Sequence, residues 1–204
     1  MKVGIIDYGA GNLRSVANAV RGTGVEPVIL PSPDGLDDIT HLILPGVGSF
    51  GDCMSELAAR LLVDPIRDWI AADRPYLGIC LGYQVLFSSS EETPGAQGLA
   101  ALPGAVRRFQ PSPGLKIPHM GWNAAVPTTP DLGMWQGLGT EPYFYFVHSY
   151  FPEPADESLV AARTTYGLDH FASAVTRGRL TATQFHPEKS QNAGIRLIRN
   201  FLAL

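Results

Sequence analysis

Apolar residues in the first eighty positions come in short runs that alternate with stretches of helical period. Val3–Ile6 reads as a strand. After Gly9-Ala10-Gly11, the residues Leu13, Val16, Ala17 and Val20 fall at i, i+3, i+4 and i+7. That spacing predicts an amphipathic helix stopped near Gly22 and Gly24. Val28–Leu30 and residues 42–44 predict two more strands. Met54, Leu57, Ala58 and Leu61 mark another helical face, continued by Ile66, Trp69 and Ile70 after Pro65. Tyr76–Ile79 predicts a further strand. Strands alternating with helices build a parallel sheet covered on both faces.

The middle of the chain changes character. Residues 91–142 are rich in Pro and Gly and show no long helical period. Candidate strands lie at 105–109, 143–147, 159–162, 171–176 and 180–184, with spacing that suits antiparallel ribbons added to the parallel core. Residues 191–204 predict a closing helix with Ile195, Ile198 and Phe201 inward. The expected fold is α/β: a mostly parallel central sheet flanked by helices, with added antiparallel strands. Nothing reads as a linker, so residues 1–204 are expected to form one domain.

Composition narrows the function. A formal net charge of −4 gives no electrostatic footprint for nucleic acid or an anionic membrane. Cys53 and Cys80 are the only cysteines, too few for a disulfide framework, which points to a reducing, cytoplasmic compartment. The first apolar run ends at Asp7, too short for a signal peptide, and no later run is long enough to cross a bilayer.

The chemistry concentrates in two places. Gly78-Ile79-Cys80-Leu81-Gly82 follows a predicted strand and is the thiol counterpart of a G-x-S-x-G nucleophile elbow. There the chain turns sharply from strand into helix, with the nucleophile at the tip between two residues that lack side chains. The Leu81 N–H would begin the helix and point at a developing oxyanion. His186-Pro187-Glu188 follows a second apolar segment and supplies a base and a carboxylate to orient it. Taken singly, a cysteine between glycines is most often a small core residue, and His-Pro-Glu a loop. Together, each after a strand, they point to covalent catalysis by Cys80.

Other motifs weigh less. Gly9-Ala10-Gly11 starts like a dinucleotide fingerprint, but Arg14 stands where the third glycine belongs, so a tight turn is expected. Pro45-Gly46-Val47-Gly48 follows a strand and could bring a backbone N–H to the oxyanion. Its glycines would let the peptide plane between Gly46 and Val47 rotate. His41, His119, His148 and His170 show no metal-ligand spacing, and no metal or cofactor is expected. His148 ends a strand and is placed to line a pocket. Residues 118–123 form an odd sequence for a surface loop and have no role by composition.

These residues resemble the class I glutamine amidotransferases, α/β enzymes that hydrolyse glutamine through a Cys-His-Glu triad. Within that family the chain is most similar to the glutaminase subunits of imidazole glycerol phosphate synthase. The likeness rests on Asp7-Tyr8-Gly9-Ala10-Gly11-Asn12-Leu13, Pro45-Gly46-Val47-Gly48, Pro118-His119-Met120-Gly121-Trp122-Asn123, Tyr145-Phe146-Val147-His148-Ser149-Tyr150 and His186-Pro187-Glu188-Lys189-Ser190. It implies Cys80, His186 and Glu188 as triad, with Leu81, Gly46 and Val47 at the oxyanion. It implies Gly48, Gln84, Ser149 and Tyr150 against L-glutamine. The implied partner is a separate cyclase subunit with a (β/α)8 barrel, forming a heterodimer that Asn12 and Lys189 would face. Other Cys-His-Glu enzymes, and a binding subunit with an idle site, share the elbow. A glutaminase assay with and without the cyclase separates them.

Overall fold

The structure is a computed structural model and describes residues 1–10 and 12–204. Gly11, in the predicted turn at Gly9-Ala10-Gly11, lies outside the described residues. Among the described residues, twelve strands and five α-helices follow in the order β1 (Val3–Ile6), α1 (Leu13–Arg21), β2 (Val28–Leu30), β3 (His41–Leu44), α2 (Phe50–Ala59), α3 (Val63–Ala71), β4 (Tyr76–Ile79), α4 (Leu81–Gln84), β5 (Gly104–Arg108), β6 (His119–Ala124), β7 (Val126–Pro127), β8 (Tyr143–His148), β9 (Tyr150–Pro154), β10 (Val160–Tyr166), β11 (Asp169–Arg177), β12 (Leu180–Thr183) and α5 (Gln191–Leu202).

Eight strands form the central sheet in the order β2-β1-β3-β4-β12-β11-β10-β7. The strands from β2 to β12 run parallel, and β11, β10 and β7 extend the sheet antiparallel. Side chains alternate across this sheet as the strand period requires. Val3, Ile5, Ile43, Leu77 and Ile79 pack under α1 and α5, through Val16, Val20, Ile198 and Phe201. Ile6, Leu42, Leu44 and Tyr76 face the other way, onto Phe50, Leu57, Ile66 and Trp69 of α2 and α3. Helices therefore cover both faces, the three-layer arrangement that uninterrupted apolar strands predict. Ser49 starts α2, its hydroxyl accepting from the Asp52 N–H at 3.2 Å.

Two ribbons lie beside the sheet, β5 with β9 and β6 with β8. The unassigned residues 118–123 thus belong mostly to a strand rather than a surface loop. Phe144, Phe146 and His148 of β8 point inward, and Tyr143, Tyr145 and Val147 outward. The inward face joins an aromatic cluster with Phe109, Phe171 and Phe185. His119 is buried here, stacked at 3.9 Å on Tyr166 and 4.8 Å on Phe146. Among the described residues no helix is long and apolar enough to cross a membrane.

Candidate active site

Register brings the chemistry together. Leu44 of β3 sits beside Gly78 of β4, and Gly78 and Ile79 sit beside Ala182 and Thr183 of β12. These three parallel strands end at the same edge of the sheet. The Pro45–Gly48 loop, Cys80 and the segment leading to His186 emerge there side by side, where open parallel sheets hold ligands.

Cys80 has φ 54° and ψ −103°, a conformation that a residue with a Cβ rarely adopts. The surrounding chain holds it there. Its N–H donates to Thr183 O at 2.8 Å, and its carbonyl accepts from Tyr83 and Gln84 N–H at 3.0 and 3.1 Å. A Cβ on Gly78 would stand 2.5 Å from Gly82 O, and one on Gly82 only 1.9 Å from Leu44 O. Both glycines are required by close backbone approach, one within the turn and one between the turn and β3. Cys53 lies away from this turn and does not line the pocket. It is buried in α2, and burial pushes its thiol up to about 12.

His186 follows β12, its N–H donating to Tyr145 O at 2.9 Å. Residues Pro187–Lys189 form a short 3-10 turn that folds Glu188 back onto the ring. His186 Nδ1 lies 2.8 Å from Glu188 Oε1, and both side chains are buried. Burial lowers the imidazole's pKa. The charge and proximity of Cys80 outweigh that effect, helped by Glu188, and the result is about 10. Ser190 Oγ donates to His186 O at 2.6 Å and accepts from Tyr145 N–H at 3.0 Å, fixing the turn to β8. Asn12, expected at a partner face, has its side-chain amide turned toward Glu188. Its Nδ2 donates to Glu188 Oε1 at 3.2 Å, across 176 positions of sequence.

The Leu81 N–H, expected to point at an oxyanion, is directed at Gly46 O at 3.5 Å. The plane between Gly46 and Val47 therefore turns its carbonyl, and not its N–H, toward the start of α4. Gly46 is packed tightly: a Cβ on it would lie 2.6 Å from Leu81 Cβ and 2.8 Å from Tyr8 Oη. Val47 and Gly48, by contrast, are exposed, and Gly48 has φ +106°. A pocket of about 360 Å³ opens between this loop and Cys80. Gln84, Ser149 and Tyr150 form its far wall, and Lys189 stands at its edge with Nζ 5.7 Å from the Tyr145 ring centre.

Two pocket residues and one buried neighbour of Cys80 escaped the sequence reading or were placed only loosely by it. Glu92 lines the pocket, one carboxylate oxygen accepting from the Phe50 N–H at 2.7 Å. His148 lines it too. Burial, then His119, lowers its pKa to about 3, so the ring is neutral. Gln184 is wholly buried, and its amide nitrogen lies 3.6 Å from Cys80 Sγ. A glutamine inside the run 180–184, otherwise made of small and apolar side chains plus two threonines, was the one signal in the sequence that could have singled it out.

Residues 4–204 match the family model described as glutamine amidotransferase class-I. The chain belongs to the class-I glutamine amidotransferase family. This amidotransferase is 46% identical over 200 residues to the imidazole glycerol phosphate synthase subunit HisH of Microcystis aeruginosa, an alignment spanning 98% of this chain and 94% of that protein. The protein of the same name from Synechococcus elongatus is 43% identical over 201 residues, covering 98% and 92%. Among solved structures, the fold is shared with PurLQS from Thermotoga maritima at TM-score 0.78 and 22% identity, over 99% of this chain and 97% of that one. A structure described as glutamine amidotransferase gives TM-score 0.77 at 22% identity, over 100% and 98%.

Proposed function

We propose that this amidotransferase is the glutaminase subunit of an imidazole glycerol phosphate synthase. It would hydrolyse glutamine to glutamate and hand the ammonia to a separate cyclase subunit. One observation carries the chemical part: Cys80, at the tip of a strained turn, opens onto a pocket and lies near enough to the buried His186–Glu188 pair to raise the imidazole's pKa. The subunit assignment is supported by relatives of that name at 43–46% identity over nearly the whole chain.

In this reading the Cys80 thiolate attacks the side-chain amide carbon of glutamine, forming a C–S bond and an oxyanion. His186, charged beside the thiolate, gives its proton to the departing nitrogen, and the C–N bond breaks to release ammonia. Neutral His186 then takes a proton from water as the water attacks the thioester. The C–S bond breaks, glutamate leaves and the thiolate returns. Glu188 holds the Nδ1–H tautomer and stabilises the imidazolium, and Asn12 holds Glu188. The oxyanion is held by Leu81 N–H and by the Val47 N–H, once the plane between Gly46 and Val47 has turned over.

Substrate contacts fall to Gly48, Ser149, Tyr150 and the Glu92 carboxylate, which suits an α-ammonium group. Gln84 has both amide protons committed, to Tyr150 O at 3.0 Å and Gln184 Oε1 at 3.1 Å. Only its oxygen is left for a ligand.

The cyclase would dock over the same edge. Asn12, the Gly46–Val47 plane, Cys80 and Lys189 all follow ends of parallel strands. Beside them the outward face of β6 and β8 exposes Met120, Trp122 and Tyr143, and continues through Tyr145 to Val147 at the pocket. A barrel seated there would receive ammonia before it met solvent. Among the described residues no loop is built to cradle a phosphate, so the phosphorylated substrate would bind the partner. The test is product formation by the cyclase alone and with this chain, using glutamine or ammonium salts at high pH. Ammonium should support the cyclase alone, and glutamine only the pair. A requirement for this chain with ammonium as well would contradict the division of labour.

A further inference from the structure

A chain of buried amides connects the Cys80 sulfur to the substrate-binding wall. Gln184 Nε2 lies 3.6 Å from Cys80 Sγ. Gln184 Oε1 accepts from Gln84 Nε2 at 3.1 Å, and the same nitrogen donates to Tyr150 O at 3.0 Å. His148 Nδ1 also reaches Tyr150 O, at 2.8 Å. Glutamine oxygen and nitrogen look alike by shape, so the direction of such a chain must come from its fixed end. Here that end is a backbone carbonyl, which can only accept. Gln84 must therefore turn its NH2 to Tyr150. The second proton of that NH2 requires an acceptor, so Gln184 turns its oxygen to Gln84. The Gln184 NH2 is left facing the sulfur.

Position reinforces the argument. Gln184 is wholly buried, and its backbone N–H is held by Ser173 O at 2.8 Å. The preceding residue, Thr183, accepts the Cys80 N–H. Nucleophile and amide are thus tied to adjacent strands and cannot drift apart. A donor aimed at a sulfur favours its anionic form, which is the nucleophile. We infer that Gln184 is a further catalytic residue: with its direction set by Gln84 and Tyr150, it donates to the Cys80 sulfur and stabilises the thiolate. The inference rests on the reading of Cys80 as nucleophile. It also links the charge of that nucleophile to the segment that meets the substrate, because moving Tyr150 would move the fixed end of the chain.

The experiment is the pH dependence of Cys80 alkylation by iodoacetamide in the full chain, with Cys80→Ala as the unlabelled control. Gln184→Met keeps the volume and removes the donor. Gln184→Glu keeps an acceptor for Gln84 and turns an oxygen to the sulfur. Both should alkylate at about pH 6 at least roughly tenfold more slowly than wild type, the size of a lost hydrogen bond to a charged group. The midpoint of the profile should move upward, further for Gln184→Glu. A residue that only fills space would lower the melting temperature and leave that midpoint in place. Wild-type midpoints in the variants, including uniformly slower reaction at unchanged midpoint, would overturn the inference. Alkylation needs neither glutamine nor a partner. A chain that showed the shift yet never hydrolysed glutamine would defeat the proposed function and leave this inference standing.

Discussion

Cys80→Ala should reduce glutamine hydrolysis by about 10⁴-fold or more, the scale of removing the nucleophile from a triad, whereas Cys53→Ala should leave turnover at the wild-type level. The contrast follows from where the two thiols lie. Cys80 stands at the elbow, lines the pocket and neighbours His186 and Gln184. Cys53 is enclosed in α2 among core side chains, and burial holds its thiol protonated. A glutamine-derived diazo-ketone should accordingly label Cys80 and spare Cys53. Turnover persisting in Cys80→Ala, or label on Cys53, would remove the assignment.

The isolated chain should be nearly idle as a glutaminase, and the complete complex should be faster by at least about a hundredfold, the worth of one oxyanion donor. The reason is the direction of one peptide plane. With Gly46 O facing the Leu81 N–H, that N–H is occupied and the Gly46–Val47 plane turns its carbonyl toward the elbow. Turning that plane over adds the Val47 N–H and frees that of Leu81. Val47 and Gly48 are exposed and would be open to a docked partner. The triad itself need not move. Steady-state rates alone, with cyclase, and with cyclase plus a ribotide analogue measure the effect. Full activity in the isolated chain would refute the gating and leave the triad untouched.

The parallel core was legible because β1 and β4 are unbroken apolar runs, β3 is apolar after His41, and α1 keeps a strict helical spacing. The elbow was legible for a steric reason. Only glycine fits at 78 and 82, and that requirement is visible as letters. Strand β6 was not, because its pattern is inverted. His119, Gly121 and Asn123 alternate with Met120 and Trp122, yet Met120 and Trp122 are the exposed side chains. Strand β9 hid behind Pro152 and Pro154, which the edge of a two-stranded ribbon tolerates. The resting direction of Gly46 O and the contacts of Asn12 and Gln184 depend on segments far apart in sequence. No local pattern encodes them. Asn12 follows the end of β1, and its amide goes to Glu188, a contact that no local pattern announces.

In the proposed reaction Cys80 becomes acylated by glutamine. Rapid acid quenching of the complex during glutamine turnover, followed by peptide mapping with mass spectrometry, tests it most directly. A γ-glutamyl thioester on the peptide carrying Cys80, absent from the peptide carrying Cys53, is the predicted result. Sustained turnover with no acyl group on Cys80 at any quench time, or an acyl group on another residue, would contradict it.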